Sequence, residues 1–209
     1  IGNVADTANN LGIRSHLQRD LSLALGSSGV KPLEMATAYT TIARGGASVF
    51  PHGLRKITEK QGTGLYQPSD VRPARQVVSP QAAQDRANMM GGVISFGTGR
   101  GAQVPFPASG KTGTSQDFRD AWFAGFSNRF VCVVWLGNDD NSSMKKVTGG
   151  SLPASIWREV MVAAQRRAGY YESSTFTVPS SDPMDFMGAD GFSGLIRDLT
   201  THGVPSGSQ

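Results

Sequence analysis

The sequence predicts an α+β fold in which helices flank an antiparallel sheet. Three observations carry this prediction. Apolar residues recur at helical spacing in four separate stretches. Two runs rich in aromatic and β-branched residues, 120–126 and 130–136, are separated only by S-N-R, a hairpin-length connection. Glycine, at 26 residues, and proline, at 11, supply the turns between these segments. A chain of 209 residues suits one folded body with a substantial core, since domains usually take about 100–200 residues.

Taken in order, Val4, Ala8 and Leu11 share one helical face, and Gly12 suits a stop just beyond them. Pro32 followed by Glu34 opens a helix over 33–44, with Leu33, Ala36, Tyr39 and Ile42 on one face until Gly45 and Gly46 break it. The following stretch to residue 66 has short apolar runs split by glycines and predicts a small hairpin or loop excursion. Ser79 is a cap with proline at the first turn, leading through Met89 and Met90, read as core filling, toward Gly91 and Gly92. After the two strands, Pro153 opens a helix that places Ile156, Trp157, Val160, Met161 and Ala164 on one face. Arg166 and Arg167 sit where its dipole is negative, and Gly169 ends it. From 172 to 209 the composition turns to Ser, Thr, Pro, Gly and Asp, too little apolar surface to offset ordering entropy. The expected organisation is a folded body over 1–171 and a mostly disordered tail over 172–209.

Composition excludes several classes of function. The net charge of +4 comes from scattered Lys and Arg, with no run of the kind that grips nucleic acid. No stretch approaches the ~18–20 continuous apolar residues that cross a bilayer. Cys132, the single cysteine, lies in F-V-C-V-V-W-L and reads as a small buried hydrophobe. His16, His52 and His202 are widely separated and show no ligand spacing, so no metal and no cofactor is inferred. The opening residues have no initiator Met and read as the middle of a helix, as expected for part of a longer protein.

The segment A-S-G-K-T-G-T at 108–114 admits two chemistries. A phosphate-binding loop needs a glycine five residues before Gly110, so that successive N–H groups point at the phosphates. That position is Pro105, which has no N–H, and the Q-D-F-R-D-A-W-F-A-G-F that follows reads as strand rather than helix. The glycine-rich F-G-T-G-R-G-A at 96–102 lacks dinucleotide spacing. On a strand, by contrast, the Lys111 ammonium and the Thr112 and Thr114 hydroxyls make an anion clamp, with Gly113 letting another backbone lie close. An extended peptide could add along such a strand, and the Thr114 N–H could stabilise an oxyanion. Strict pleating would put Lys111 opposite Thr112, so a local twist at Gly113 is expected. On these residues alone, K-T-G-T as a mere turn into a hairpin stays open.

The combination goes further. K-T-G-T with D-A-W-F-A-G-F after it, then W-L-G-N-D-D at 135–140, V-T-G-G at 147–150 and L-P-A-S-I-W at 152–157, resembles the transpeptidase domain of bifunctional, class A penicillin-binding proteins. L-A-L-G-S-S-G-V-K-P-L-E-M-A-T-A-Y at 23–39, the A-R-G-G after it and G-T-G-R-G-A at 97–102 resemble that family in the same order, so the likeness covers roughly 3–168. It implies a partial penicillin-binding/β-lactamase-like fold without cofactor, acting in D,D-transpeptidation. A serine attacks the penultimate D-Ala of a peptidoglycan stem peptide, D-Ala leaves, and an amine of a neighbouring peptide takes the acyl group. Penicillins acylate the same serine. Carried onto this chain, Lys111 serves the site's electrostatics and proton network, and Thr112 and Thr114 bind the substrate or β-lactam carboxylate. Gly113 keeps the strand open, and the Thr114 N–H supplies half of the oxyanion hole. The family also implies the periplasmic face of the cytoplasmic membrane, with a glycosyltransferase region and an anchor upstream.

One departure matters. The family uses S-x-x-K and S-x-N besides K-T-G. S-G-V-K at 28–31 is followed by Pro32, which disfavours a helical Lys31, and the strings at 142–145 and 143–146 fall in a loop past K-T-G. No S-x-N occurs, T-A-N at 7–9 being nearest. The expectation is therefore the C-terminal part of a transpeptidase domain, inactive alone, whose nucleophile lies on an upstream segment or on a separate chain and whose sheet is incomplete. The alternative is a non-catalytic module that binds peptidoglycan or a partner and keeps only the carboxylate clamp.

Overall fold

A computed structural model describes residues 2–54, 56–66 and 73–169. The expected tail at 172–209 lies outside the described residues. The order is helix α1 (Gly2–Leu11), a 3-10 turn (Leu21–Leu25), helix α2 (Pro32–Ala43), strands β1 (Ile57–Thr58) and β2 (Gly64–Tyr66), helix α3 (Pro80–Ser95), strands β3 (Ala108–Thr114), β4 (Asp120–Ser127) and β5 (Val131–Gly137), and helix α4 (Leu152–Arg167). β1 and β2 form the small hairpin expected between α2 and α3. The main sheet is antiparallel in the order β3-β4-β5, so K-T-G-T is strand and neither loop nor turn. The fold is α+β, as the sequence predicts.

Pleating gives the sheet two faces. Phe123 and Gly125 point to one side, where the Phe123 ring lies 5.1 Å from that of Trp157 on α4. With Ile94, Ala102, Ala154 and Met161 these rings form the main core, and Cys132 packs against it. Fully burying each large apolar side chain of this kind stabilises the fold by about 1.5–3 kcal/mol. Burial also raises the Cys132 thiol pKa, in keeping with a packed rather than reactive group. Ala124 and Phe126 alternate to the opposite face and are buried too, against α2, which also packs on β4 and β5. α3 runs beside β3 and fastens it where the Ser109 hydroxyl donates to the Ala87 carbonyl at 2.8 Å.

Several helical faces differ from expectation. On α2 Ile42 is buried as expected, but Leu33 is 64% exposed, and Thr37, Ala38 and Thr41 face inward as well. Threonine can occupy that face because its hydroxyl returns to its own helix: Thr37 donates to the Leu33 carbonyl and Thr41 to that of Thr37. Val4 is exposed while Ala5 is buried against α2, and on α4 Val160 is exposed while Gln165 is buried. Met89 is 66% exposed and is not core filling, whereas its neighbour Met90, about 100° round the helix, is half-buried. α3 also continues through Gly91 and Gly92 to Ser95, since the Phe96 ring covers the place a Gly92 side chain would take. Lastly, Gln116–Phe118 forms a 3-10 turn with left-handed Asp117 and Phe118 rather than strand, while β4 begins at Asp120 as expected.

Candidate functional site

The site is built on the outer edge of β3. Register with β4 runs unbroken from Ala108↔Ser127 to Thr114↔Ala121. Ser115 N–H donates to the Asp120 carbonyl at 2.9 Å, which sets the alternation of the ladder. Lys111 and Gly113 therefore turn their backbone groups toward β4, and Thr112 and Thr114 turn theirs outward. β3 is an edge strand, so those outward groups meet no further strand among the described residues.

Side chains complete the edge. Thr112 and Thr114 share the α4 side of the sheet, and Lys111 leaves from the other. No register shift at Gly113 reconciles them, contrary to the twist expected there. The long lysine stem does so instead: Nζ curls round the edge and donates to the outward Thr112 carbonyl at 2.8 Å. Lys111 and Thr114 are exposed, whereas Thr112 and Gly113 are half-buried.

Two loops back the strand. The segment 147–150 lays Gly149 over Gly113, where its N–H donates to the Thr114 hydroxyl oxygen at 3.0 Å. A Cβ on Gly149 would lie 2.2 Å from the Trp122 carbonyl oxygen and 2.6 Å from that of Gly113, so only glycine fits. On the same face, the loop after α3 brings the Thr98 hydroxyl 2.7 Å from that of Thr112. These partners were not legible beforehand. G-T-G-R-G-A and V-T-G-G stand out in the sequence, but nothing local says that they meet K-T-G-T.

Donors dominate the result. Lys111 keeps two ammonium N–H groups beyond the one given to Thr112. Thr114 accepts through its oxygen and retains its hydroxyl proton, and the Thr98–Thr112 pair consumes one of its two protons. The outward Thr114 N–H adds a third donor type. Such an edge suits an anion, above all a carboxylate.

Other sequence candidates lie elsewhere in different roles. Ser28 accepts from the Gln18 N–H, and Lys31 is extended (φ −78°, ψ 141°) just before α2, so 28–31 is no helical serine–lysine pair. Ser142 accepts from the Asn138 amide in the loop after β5. Thr7 donates back to the Asn3 carbonyl within α1.

Fold and edge strand together define a class of protein. The profile of the penicillin-binding protein transpeptidase domain matches residues 2–162, and the chain belongs to that family. Among its relatives are penicillin-binding protein 4 of Bacillus subtilis, 36% identical over 147 residues, and penicillin-binding protein 1A of Aquifex aeolicus, 32% identical over 192. The matches cover 69% and 88% of this chain but only 23% and 25% of those proteins, so it spans about a quarter of their length. Penicillin-binding protein 1A of Haemophilus influenzae superposes with a TM-score of 0.70 at 25% identity, over 83% of this chain and 32% of that one. PonA1 of Mycobacterium tuberculosis in complex with penicillin V superposes with a TM-score of 0.69 at 24% identity, over 87% and 53%, a likeness of fold. Similarity to the 1A proteins places the chain with the class A transpeptidase domains.

Proposed function

We propose that this chain forms part of a D,D-transpeptidase that cross-links peptidoglycan stem peptides by serine acyl transfer and is acylated by β-lactams. The observation that carries this reading is the open β3 edge, where Lys111, Thr112 and Thr114 present donors to an anion beside an outward backbone N–H. In it Thr112 and Thr114 hold the terminal carboxylate, Lys111 sets the field and proton network, and the Thr114 N–H contributes to the oxyanion hole. Gly113 keeps the strand open, since a Cβ there would lie 3.3 Å from the Trp122 side chain. The acceptor serine comes from a segment upstream that carries S-x-x-K and S-x-N, and the parent protein works at the periplasmic face of the cytoplasmic membrane. Family membership supports the chemistry, and the non-helical 28–31 supports an external nucleophile. The same non-helical stretch favours the second reading, a binding module that never acquires a serine.

Labelled penicillin separates the two. The chain alone is expected to form no covalent adduct, and the chain joined to the upstream segment is expected to form one. An adduct on the chain alone would place the nucleophile within it, and no adduct in either case would favour the binding module. In the joined protein Lys111→Ala should slow acylation by roughly ten- to a hundredfold, the worth of a lost hydrogen bond to a charged group. An unchanged rate would remove Lys111 from its role.

A further inference from the structure

The Thr98 side chain is exposed, yet its backbone is held from several directions. Its carbonyl oxygen lies where a Cβ on Gly150 would come within 2.1 Å, so the 147–150 loop presses directly upon it. Its neighbour Gly99 is buried against the core, where a Cβ would lie 3.1 Å from the Phe123 ring, and the Gly99 N–H donates to the Val93 carbonyl at 2.9 Å. The loop is therefore seated on α3 on one side and on 147–150 on the other. A surface threonine anchored in this way keeps its hydroxyl in one place without help from solvent.

We propose that Thr98 is a positioning residue of the carboxylate clamp, acting through Thr112. The two hydroxyls are 2.7 Å apart, and one must donate to the other. The pair then has one proton left to offer to a ligand. Without Thr98, the Thr112 hydroxyl could rotate to use its own proton elsewhere, for instance on the outward Thr112 carbonyl that Lys111 also meets. Thr98 thus orders a donor before the ligand arrives, and the expected ligand group is a carboxylate, which only accepts. This inference rests on the clamp reading above and adds to it a residue outside the K-T-G-T strand.

The test uses the chain joined to its serine-bearing segment, with penicillin V and its methyl ester as probes. Thr98→Val is expected to lower the second-order rate of acylation by the carboxylate form about tenfold and that by the ester less than about twofold. Thr98→Ser should restore the carboxylate preference, and the melting temperature should not change with either variant. Equal loss on both probes would make Thr98 merely structural and would overturn the proposal. Thr112→Val separates it from its premise. If Thr112→Val abolishes the carboxylate preference while Thr98→Val keeps it, the clamp stands and the Thr98 proposal falls. If neither alters the preference, the clamp reading fails and takes the proposal with it.

Discussion

Gly149 has no side chain to offer, yet the site depends on it. Its N–H holds the Thr114 hydroxyl oxygen at 3.0 Å, and its bare Cα allows the 147–150 loop to rest on Gly113 and Trp122. The atoms a methyl group would strike are backbone atoms of β3 and β4, which cannot swing aside as a flexible side chain could. Gly149→Ala should therefore cost roughly 1–3 kcal/mol, because the loop or the strand must shift. Thermal unfolding of this variant beside Gly53→Ala checks the argument, since a Cβ on Gly53 meets nothing within 4 Å. Equal melting temperatures for the two would show that the loop does not bear on the strand. If the proposed transpeptidase reading holds, Gly149→Ala in the chain joined to a serine-bearing segment should also slow penicillin acylation, through loss of the Thr114 partner.

At the scale of the element, α2 shows how packing changes chemistry. The half-buried Tyr39 phenol loses solvation there, and its pKa rises from 10.0 to about 12. Below pH 10 the phenol is neutral in both folded and unfolded chains, and its contribution to stability is whole. Above pH 10 the unfolded chain releases the proton while the folded one retains it, so stability falls until the pH passes about 12. The loss is on the order of 2 kcal/mol. Urea unfolding at pH 9 and 11.5 should show a smaller drop for Tyr39→Phe than for the parent chain, and identical drops would refute the assignment. The opposite sign holds at Glu34. Desolvation raises its pKa, but hydrogen bonds from the Ser15 hydroxyl and N–H and from the Arg14 N–H outweigh this and leave it below the ordinary value. Its contribution is present above the ordinary carboxylate range and fades in acid.

At the scale of the whole molecule, the sheet is open on both sides among the described residues, and the two edges differ. The β3 edge is polar and presents donors. β5 reads V-C-V-V-W-L-G, the near-continuous apolar run of a strand buried on both faces, yet it lies at the margin of this sheet and none of its residues is fully buried. Its ladder to β4 leaves the N–H groups of Val131, Val133 and Trp135 pointing outward, because Ser127 N–H bonds to the Phe130 carbonyl and the alternation follows from there. Hydrogen exchange should accordingly alternate. Cys132, Val134 and Leu136 should be protected, and Val131, Val133 and Trp135 should exchange much faster. Uniform protection along β5 would mean that the edge is covered. An apolar edge of this kind is the natural place for another strand to add.

The sequence alone determined the four helices, the β4–β5 hairpin, the strand character of K-T-G-T and the lack of a helical serine–lysine pair, because each depends on spacing or propensity within a few residues. Family resemblance was legible for the same reason, as an ordered set of short motifs. The buried face of α2 was not, since threonines that bond back to their own helix pass as apolar residues and periodicity does not register this. Nor were the clamp's partners. Thr98 and Thr112 are 14 residues apart, and Gly149 and Thr114 are 35 apart. Only the packing of the loop after α3 and the 147–150 loop against one face of β3 brings those groups within hydrogen-bond reach, and no local pattern encodes contacts between segments that distant.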